Sequence, residues 1–339
     1  MKLPSLHHMR LARDHPMSDR PTVDRPLRDK DYIAADGGLL FNVVGYDHPP
    51  AAVYANLKYV DDSHTQSELP FGSRSSAPVG RWNRRKWRGT YRQAVDFLSQ
   101  RHSNLIDDDG YVSVPSECVR QVHRSADGLR LLRDNPRRNE LQQHALDLAD
   151  TLSDHLGLPI DALGLTDSLL WSPGTGESDI DLVVFGCDAA QRLVDNLAGV
   201  YQTPEFVFAP ERFDEPSQVP AETRATIAAR RLHLGVHRGV KFSIRAVRSG
   251  WSLESNQGSP SERRGAIERV AEIASVAESL YFPATYGLTD NAKLVSYITA
   301  HEGVFRRGEQ VRIRGQLLVD ASGGETIVVG SEGESVCWL

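Results

Sequence analysis

The chain is poor in cysteine, in long apolar runs and in net positive charge. Its three cysteines, Cys118, Cys187 and Cys337, stand far apart, without CxxC spacing or an even count. Zinc ribbons and disulfide frameworks have nothing to build on, and a reducing, cytoplasmic setting fits best. No stretch approaches the roughly 18 consecutive apolar residues of a membrane helix, so a membrane span is not expected. The first residues carry charges or histidine where a secretory signal needs an apolar core. Lysine and arginine number 39 against 45 aspartates and glutamates, a formal net charge of −6. A surface that wraps nucleic acid as a whole would be basic, so any such contact here is local. What remains is ordinary globular material: 339 residues, 40% hydrophobic and 25% charged. That length suggests two or three domains at roughly 100–200 residues each.

Residues 1–27 mix Pro, Arg, Asp and His without periodicity and read as a flexible tail, with Met9 and Met17 as alternative starts. A region of α/β character is expected over 28–136. It opens with the apolar run Leu39–Val44, closed by glycines as a buried strand would be. Ala51 to Val60 returns as a helix or a second strand, and Asp61 to Gly80 is a surface loop. Pro115-Ser116-Glu117 opens a helix carrying Val119, Val122, Leu129 and Leu132, which Asp134-Asn135-Pro136 stops. A core region follows over 137–278. Its first helix runs from about Arg138 to His155, with Gly157 as the left-handed cap and a short helical turn after Pro159. Strands are expected at Ile180–Phe185, Glu205–Ala209 and Val240–Val247, and helices after Cys187 and over Ala221–Leu234. Residues 279–339 form a β module of about 60 residues.

Chemistry concentrates in the stretch from Gly164 to Gly186. Side chains alternate along a strand, so Asp179 and Asp181 project one way while Ile180, Leu182 and Val184 enter the core. Two such carboxylates repel unless something positive lies between them. Mg²⁺ (or Mn²⁺) suits them, because it binds through one or two carboxylates plus substrate phosphates. Upstream, Ser168 offers its hydroxyl and nearby backbone N–H groups to phosphate oxygens. Pro173-Gly174-Thr175-Gly176 makes a turn in which Gly174 and Gly176 let the backbone approach closely. A lone D-x-D is often only a charged strand end; the whole combination is more specific.

This stretch resembles the nucleotidyltransferase superfamily that includes DNA polymerase β, in which a Gly-Ser pair after a helix precedes a D-x-D on the next strand. It looks similar to predicted, uncharacterised nucleotidyltransferases familiar from archaeal genomes. The resemblance extends to Leu39–Pro50 and to Tyr281–Tyr286. It implies an α+β protein: a polymerase-β-like nucleotidyltransferase core (mixed sheet with helices), an N-terminal α/β portion and a small C-terminal β module. Carried over, Ser168 binds the triphosphate of an NTP, while Asp179 and Asp181 hold two metal ions for an in-line displacement. Two departures stand out. Where the family has Gly before Ser, this chain has Asp167, which would repel the triphosphate unless it points away or joins the metal shell. The family's third acid has no counterpart on Val240–Val247, whose polar face offers Lys241, Ser243 and Arg245; Glu205, Asp214 or Glu222 would have to substitute. The alternative is therefore a nucleotide- or RNA-binding protein that keeps the fold without catalysis.

Between Arg74 and Arg92 lie seven basic residues and no acid, with Trp82, Trp87 and Tyr91 interleaved. Such a stretch suits an RNA acceptor or a nucleotide, or else is a solvated loop that its tryptophans anchor to the body. Arg224, Arg230, Arg231, His237, Arg238 and Lys241 would bind the leaving pyrophosphate if they return to the same cleft; Lys241 and Arg245 are the favoured positions. The acceptor is otherwise a protein side chain or a small molecule. His48, His123, His144 and His301 read as packed or surface residues, and Asp107-Asp108-Asp109-Gly110 as a turn.

Overall fold

The computed structural model describes residues 26–61, 84–174, 178–213, 219–249, 261–331 and 333–339. Most of the expected tail and of the 61–80 loop, together with Arg74, Arg81, Trp82, Gly176 and Asp214, lie outside the described residues. The protein is α+β. Two compact units divide the chain, one drawn from Leu11–Leu148 and Gly164–Val183, the other from Ala149–Leu163 and Val184–Leu339.

The first unit is built on a sheet of β1 (Tyr32–Ala35), β2 (Leu39–Val43), β3 (Ala52–Asp61), β4 (Arg84–Lys86), β5 (Ser113–Pro115) and β6 (Val119–His123). Its order is β4-β3-β2-β1-β6, with β5 also on β3, and the neighbours run antiparallel. Antiparallel pairing replaces the α/β character expected for this region. One face carries Ile33, Phe41, Val53, Ala55, Leu57 and Val60 into a core closed by Phe97 and Leu98 of helix α1 (Tyr91–Arg101). Thr90 caps that helix: its hydroxyl accepts from Gln93 N, and the Gln93 side chain accepts from Thr90 N. Leu27, expected in the tail, is buried in the same core.

Helix α2 (Ser125–Asp134) is shorter than expected, because Val119–His123 is strand β6 against β1. The apolar spacing of Val119 and Val122 suits either element, and the open edge of β1 decides it. Buried Asp31 fixes the start of α2 by accepting from both the backbone N and the hydroxyl of Ser125 at 2.8 Å. Helix α3 (Glu140–Leu156) follows, and Gly157 takes the left-handed conformation at φ 60°.

The second sheet contains β7 (Leu163–Leu165), then, past helix α4 (Ser168–Trp171), β8 (Ile180–Phe185); past helix α5 (Cys187–Val200) comes β9 (Phe206–Val207). Helix α6 (Arg224–Arg230) precedes β10 (Leu234–His237) and β11 (Val240–Val247). Strand order is β7-β8-β11-β10-β9, and the division between units falls within β8 after Val183. Ala221–Leu234 is thus not one helix: a 3-10 turn leads into α6, and Leu234 already pairs with β11.

The last sheet begins at Ser261 rather than after residue 278. It comprises β12 (Ser261–Ser275), β13 (Ala284–Leu288), β14 (Lys293–Ser296), β15 (Gln310–Asp320), β16 (Glu325–Val329) and β17 (Ser335–Trp338). Strand β12 escapes a sequence reading because much of its outward face is charged or small. It pairs with both β13 and β15, so β12-β13-β14-β16-β15 closes on itself, with β14 and β16 parallel and β17 added to β15. This is a five-stranded Greek-key barrel of the OB type. Tyr286, Leu294, Phe305, Ile313 and Ile327 fill it. His301 is fully buried there with Nδ1 2.9 Å from Ser296 Oγ, and burial lowers its pKa to about 4.

The three cysteines are free, and no helix among the described residues is long and apolar enough to cross a membrane. Barrel closure makes a stability prediction. A Cβ on Gly315 would lie 2.4 Å from the Val328 carbonyl oxygen, whereas one on Gly199 in α5 meets nothing within 4 Å. Gly315→Ala should destabilise the barrel by about 1–3 kcal/mol, while Gly199→Ala should stabilise by about 0.5–1 kcal/mol. Thermal unfolding of both variants checks the opposite signs.

Candidate functional site

The site grows from one backbone link. Thr166, just past β7, donates its N–H to the Asp181 carbonyl on β8 at 2.9 Å. The next two residues, Asp167 and Ser168, therefore sit beside the strand that carries Asp181. Asp167 has φ 51° and ψ −141°, a region that only glycine enters without strain. Such a position costs about 1–3 kcal/mol and persists only where its surroundings hold it.

Those surroundings are the second face of the first sheet. Tyr32, Ala34, Leu40 and Tyr59 point there and pack with Trp171 of α4; the Tyr59 and Trp171 rings meet edge to face at 4.7 Å. Fully buried Tyr32 donates its hydroxyl to Asp167 Oδ1 at 2.5 Å. Behind it, the Thr166 hydroxyl donates to the Lys30 carbonyl at 2.7 Å, strapping the Arg28–Asp31 turn to the same point.

The electrostatics follow. Burial pushes the Asp167 carboxyl up, but the charge of Lys58, the Tyr32 hydrogen bond and the charges of Lys30 and Lys86 outweigh it and hold it below the ordinary aspartate range. The Tyr32 and Tyr59 phenols move the other way. Each is raised first by burial, then by the negative charge of Asp167, with Asp181 adding to both. Asp167 and Asp181 therefore act on the same pair of phenols.

Asp179 lies just before β8, which starts at Ile180, and both Asp179 and Asp181 are half-buried. Ser168 opens α4; its carbonyl accepts from Ser172, and its hydroxyl makes no hydrogen bond among the described residues. Gly174 has φ 72°, and a Cβ there would lie within 3 Å of the Leu169 and Leu141 side chains, so packing as well as the turn demands glycine. Among the described residues no group of three or more His, Cys, Asp or Glu side chains is arranged to hold a metal ion.

The remaining candidates belong to the other unit and have their own partners. Arg245 ion-pairs with buried Glu302. Lys241 lies over the Phe213 ring at 5.8 Å. Glu205 is paired with Arg238 at 2.6 Å, Arg230 with Glu309 at 2.5 Å, and Glu222 is exposed. Within the basic stretch, Trp87 is a core residue stacked near Phe97 at 5.1 Å, and Arg84 is buried. Tyr91 packs against the same core and its hydroxyl accepts from Val112 N at 3.1 Å, so both described aromatics of the stretch anchor the chain. From the same stretch, the charge of Lys86 acts on Asp167 and that of Arg88 on Tyr59.

Lys30, Lys58, Tyr32 and Tyr59 escape a linear reading. One signal was available: the alternation of β3 breaks at Leu57-Lys58-Tyr59-Val60, where the pairing with β2 shifts register between Leu40 and Phe41.

No family model matches the chain. It is similar to an uncharacterised protein of Methanocaldococcus jannaschii, 23% identical over 335 residues that span 91% of this chain and 97% of that protein. No solved structure matches.

Removing the Tyr32 hydroxyl tests the site's anchor. Because the Asp167 carboxyl is held below its unfolded value, its stabilisation is present above the ordinary aspartate pKa and lost as pH falls through the lower folded value. Tyr32→Phe should cost about 1 kcal/mol at pH 7, less than a fully buried charged hydrogen bond because Asp167 is partly solvated. The difference from wild type should shrink below about pH 4. Urea unfolding at pH 7 and pH 3 measures both values.

Proposed function

We propose that this protein is a nucleotidyltransferase with a polymerase-β-like core, which moves a nucleoside monophosphate from an NTP to an acceptor hydroxyl or phosphate. The observation that carries this reading is the Thr166–Asp181 backbone bond. It sets the Asp167-Ser168 turn against the strand bearing the D-x-D carboxylates, with lysines from the first sheet facing the same turn.

The donor set fits Mg²⁺ or Mn²⁺: Asp179 and Asp181 provide two hard oxygen ligands, and a small cation that keeps waters and takes substrate phosphates needs no larger protein cage. When bound, the ion polarises phosphoryl oxygens and offsets their charge. The chain's own residues do the rest. Ser168 directs its hydroxyl to a phosphate oxygen, and the lysines hold the polyphosphate so that the bond from the α-phosphorus to its β-bridging oxygen lies opposite the acceptor. The acceptor oxygen forms the new bond to the α-phosphorus, pyrophosphate departs with the bridging oxygen, and the acceptor proton passes to solvent.

A second reading, nucleotide or RNA binding without turnover, is favoured by one observation. The polar face of β11 carries Lys241, Ser243 and Arg245 and no acid, and Glu205 is committed to Arg238. RNA as acceptor draws support from the OB-type barrel, a fold that takes oligonucleotides on its outer face, as an argument by analogy. A protein or small-molecule acceptor fits the acidic balance of the chain.

Pyrophosphate release from each of the four NTPs with Mg²⁺ or Mn²⁺, with and without a mixed RNA and metabolite extract, tests the proposal. Release should require the ion and fall about 100-fold or more in Asp181→Asn. Metal-dependent nucleotide binding without release would favour the second reading. Neither binding nor release would sink both.

A further inference from the structure

Three polar groups around the Asp167 turn have hydrogen-bonding capacity that the described residues do not use. Asp167 gives Oδ1 to the Tyr32 hydroxyl, while its Oδ2 enters no hydrogen bond or ion pair among the described residues. The Trp171 indole N–H is buried and meets no acceptor, in a residue only 7% exposed. The Tyr59 hydroxyl likewise makes no hydrogen bond among the described residues. The three are neighbours. Trp171 ends the short helix α4 that Asp167 precedes, and Leu170 N donates to the Asp167 carbonyl at 3.1 Å. The Trp171 ring meets the Tyr59 ring at 4.7 Å, and Tyr32, which holds Asp167, packs in the same cluster. A buried donor without an acceptor is costly, and phenylalanine would supply the ring contact of Trp171 without that cost. The indole N–H therefore calls for a use.

The chemistry of the three groups narrows what could use them. An ionised carboxylate oxygen only accepts, an indole N–H only donates, and a phenol does both. Burial and the charges of Asp167 and Asp181 keep the Tyr59 phenol protonated. A phosphate oxygen only accepts, and would meet the negative charge of Asp167 itself. An ammonium group only donates and would leave the indole N–H unmatched. Hydroxyl groups do both. In an adjacent pair, one can donate to Oδ2 while the two oxygens accept from Trp171 and Tyr59.

We propose that Asp167 Oδ2, Trp171 Nε1 and the Tyr59 hydroxyl form a hydroxyl-binding subsite for a vicinal diol. The subsite deepens the nucleotidyltransferase reading and rests on it for what lies alongside, the triphosphate held at Ser168. Two sources supply that chemistry: the ribose of the NTP, and a free polyol serving as acceptor. Asp167 then has a reason to stand in a glycine conformation. It brings a carboxylate to the diol where glycine would bring nothing, and Tyr32 keeps it aimed by holding the other oxygen.

Saturation-transfer NMR on the full chain, without divalent ions or turnover, tests the subsite. The probes are the four common ribonucleosides, their dideoxy forms, and the polyols glycerol and myo-inositol. At least one diol probe should bind, and the dideoxy form of any nucleoside that binds should be about tenfold weaker. A preference confined to nucleosides assigns the subsite to ribose; binding of a free polyol assigns it to the acceptor. Asp167→Asn keeps a residue tolerant of positive φ, removes the charge, and should weaken the bound probe about tenfold. Trp171→Phe and Tyr59→Phe keep their rings and should each weaken it about fivefold. Thermal unfolding shows which variants are folded, and the two phenylalanine variants carry the test if Asp167→Asn is not. An indole N–H that merely holds a buried water would leave probe binding untouched in Trp171→Phe. Wild-type affinity in every folded variant, equal binding of ribonucleosides and dideoxy forms, or no bound diol probe would each overturn the subsite. Diol binding as expected in a protein that releases no pyrophosphate would contradict only the catalytic reading. Asp181-dependent pyrophosphate release with no diol probe bound would contradict only the subsite.

Discussion

Everything proposed for this protein hangs on a carboxylate held where the backbone wants glycine. Asp167 turns at φ 51° directly after the residue that bonds β7 to β8, and the buried Tyr32 hydroxyl holds its side chain. Without that bond, a strained aspartate beside Asp181 would be a liability twice over, in conformation and in charge. With it, the strain is tied to the first sheet and the charge is shared with lysines from three elements. The turn, the D-x-D strand and the sheet face then form one electrostatic unit.

The first sheet can play this role because its two faces do different work. One packs a conventional apolar core against α1, which fixes the sheet's position and rigidity. The other packs Tyr32, Ala34, Leu40 and Tyr59 against Trp171 in a second buried cluster, whose Tyr32 hydroxyl reaches Asp167. A register break in β3 permits the change, since Leu57 and Tyr59 are two residues apart yet belong to different faces. The second unit shows the contrasting economy: its barrel closes on itself, and its ion pairs, among them Arg245 with Glu302 and Arg238 with Glu205, join its own elements.

Local periodicity made several elements legible in the sequence. Strands β8 and β11 match their expected bounds, and α3 with its Gly157 cap is close, because an apolar run or stripe between clear stop signals determines each. Elements defined by a partner were not legible. Val119–His123 reads as helix until the edge of β1 claims it, and β12 shows no clean alternation until β13 and β15 close the barrel around it. The same holds for the site. Ser168, Asp179 and Asp181 announce themselves by spacing, and Asp167 by its departure from the motif. Lys30, Lys58 and Tyr32 lie more than a hundred residues from that motif, and only strand register brings them to it. Trp87 carries the converse lesson: an aromatic set among basic residues suggests base stacking, yet it belongs to the core.

The most direct test of the central claim is to locate a bound ion and nucleotide. Crystals grown with Mn²⁺ and a non-hydrolysable NTP analogue would be measured at the manganese edge, where anomalous scattering marks the ion. The account predicts a peak within bonding distance of the Asp181 carboxylate, with triphosphate oxygens between it and Lys58 and Lys86. A nucleotide bound elsewhere, with the Asp181 carboxylate carrying no ion, would contradict it.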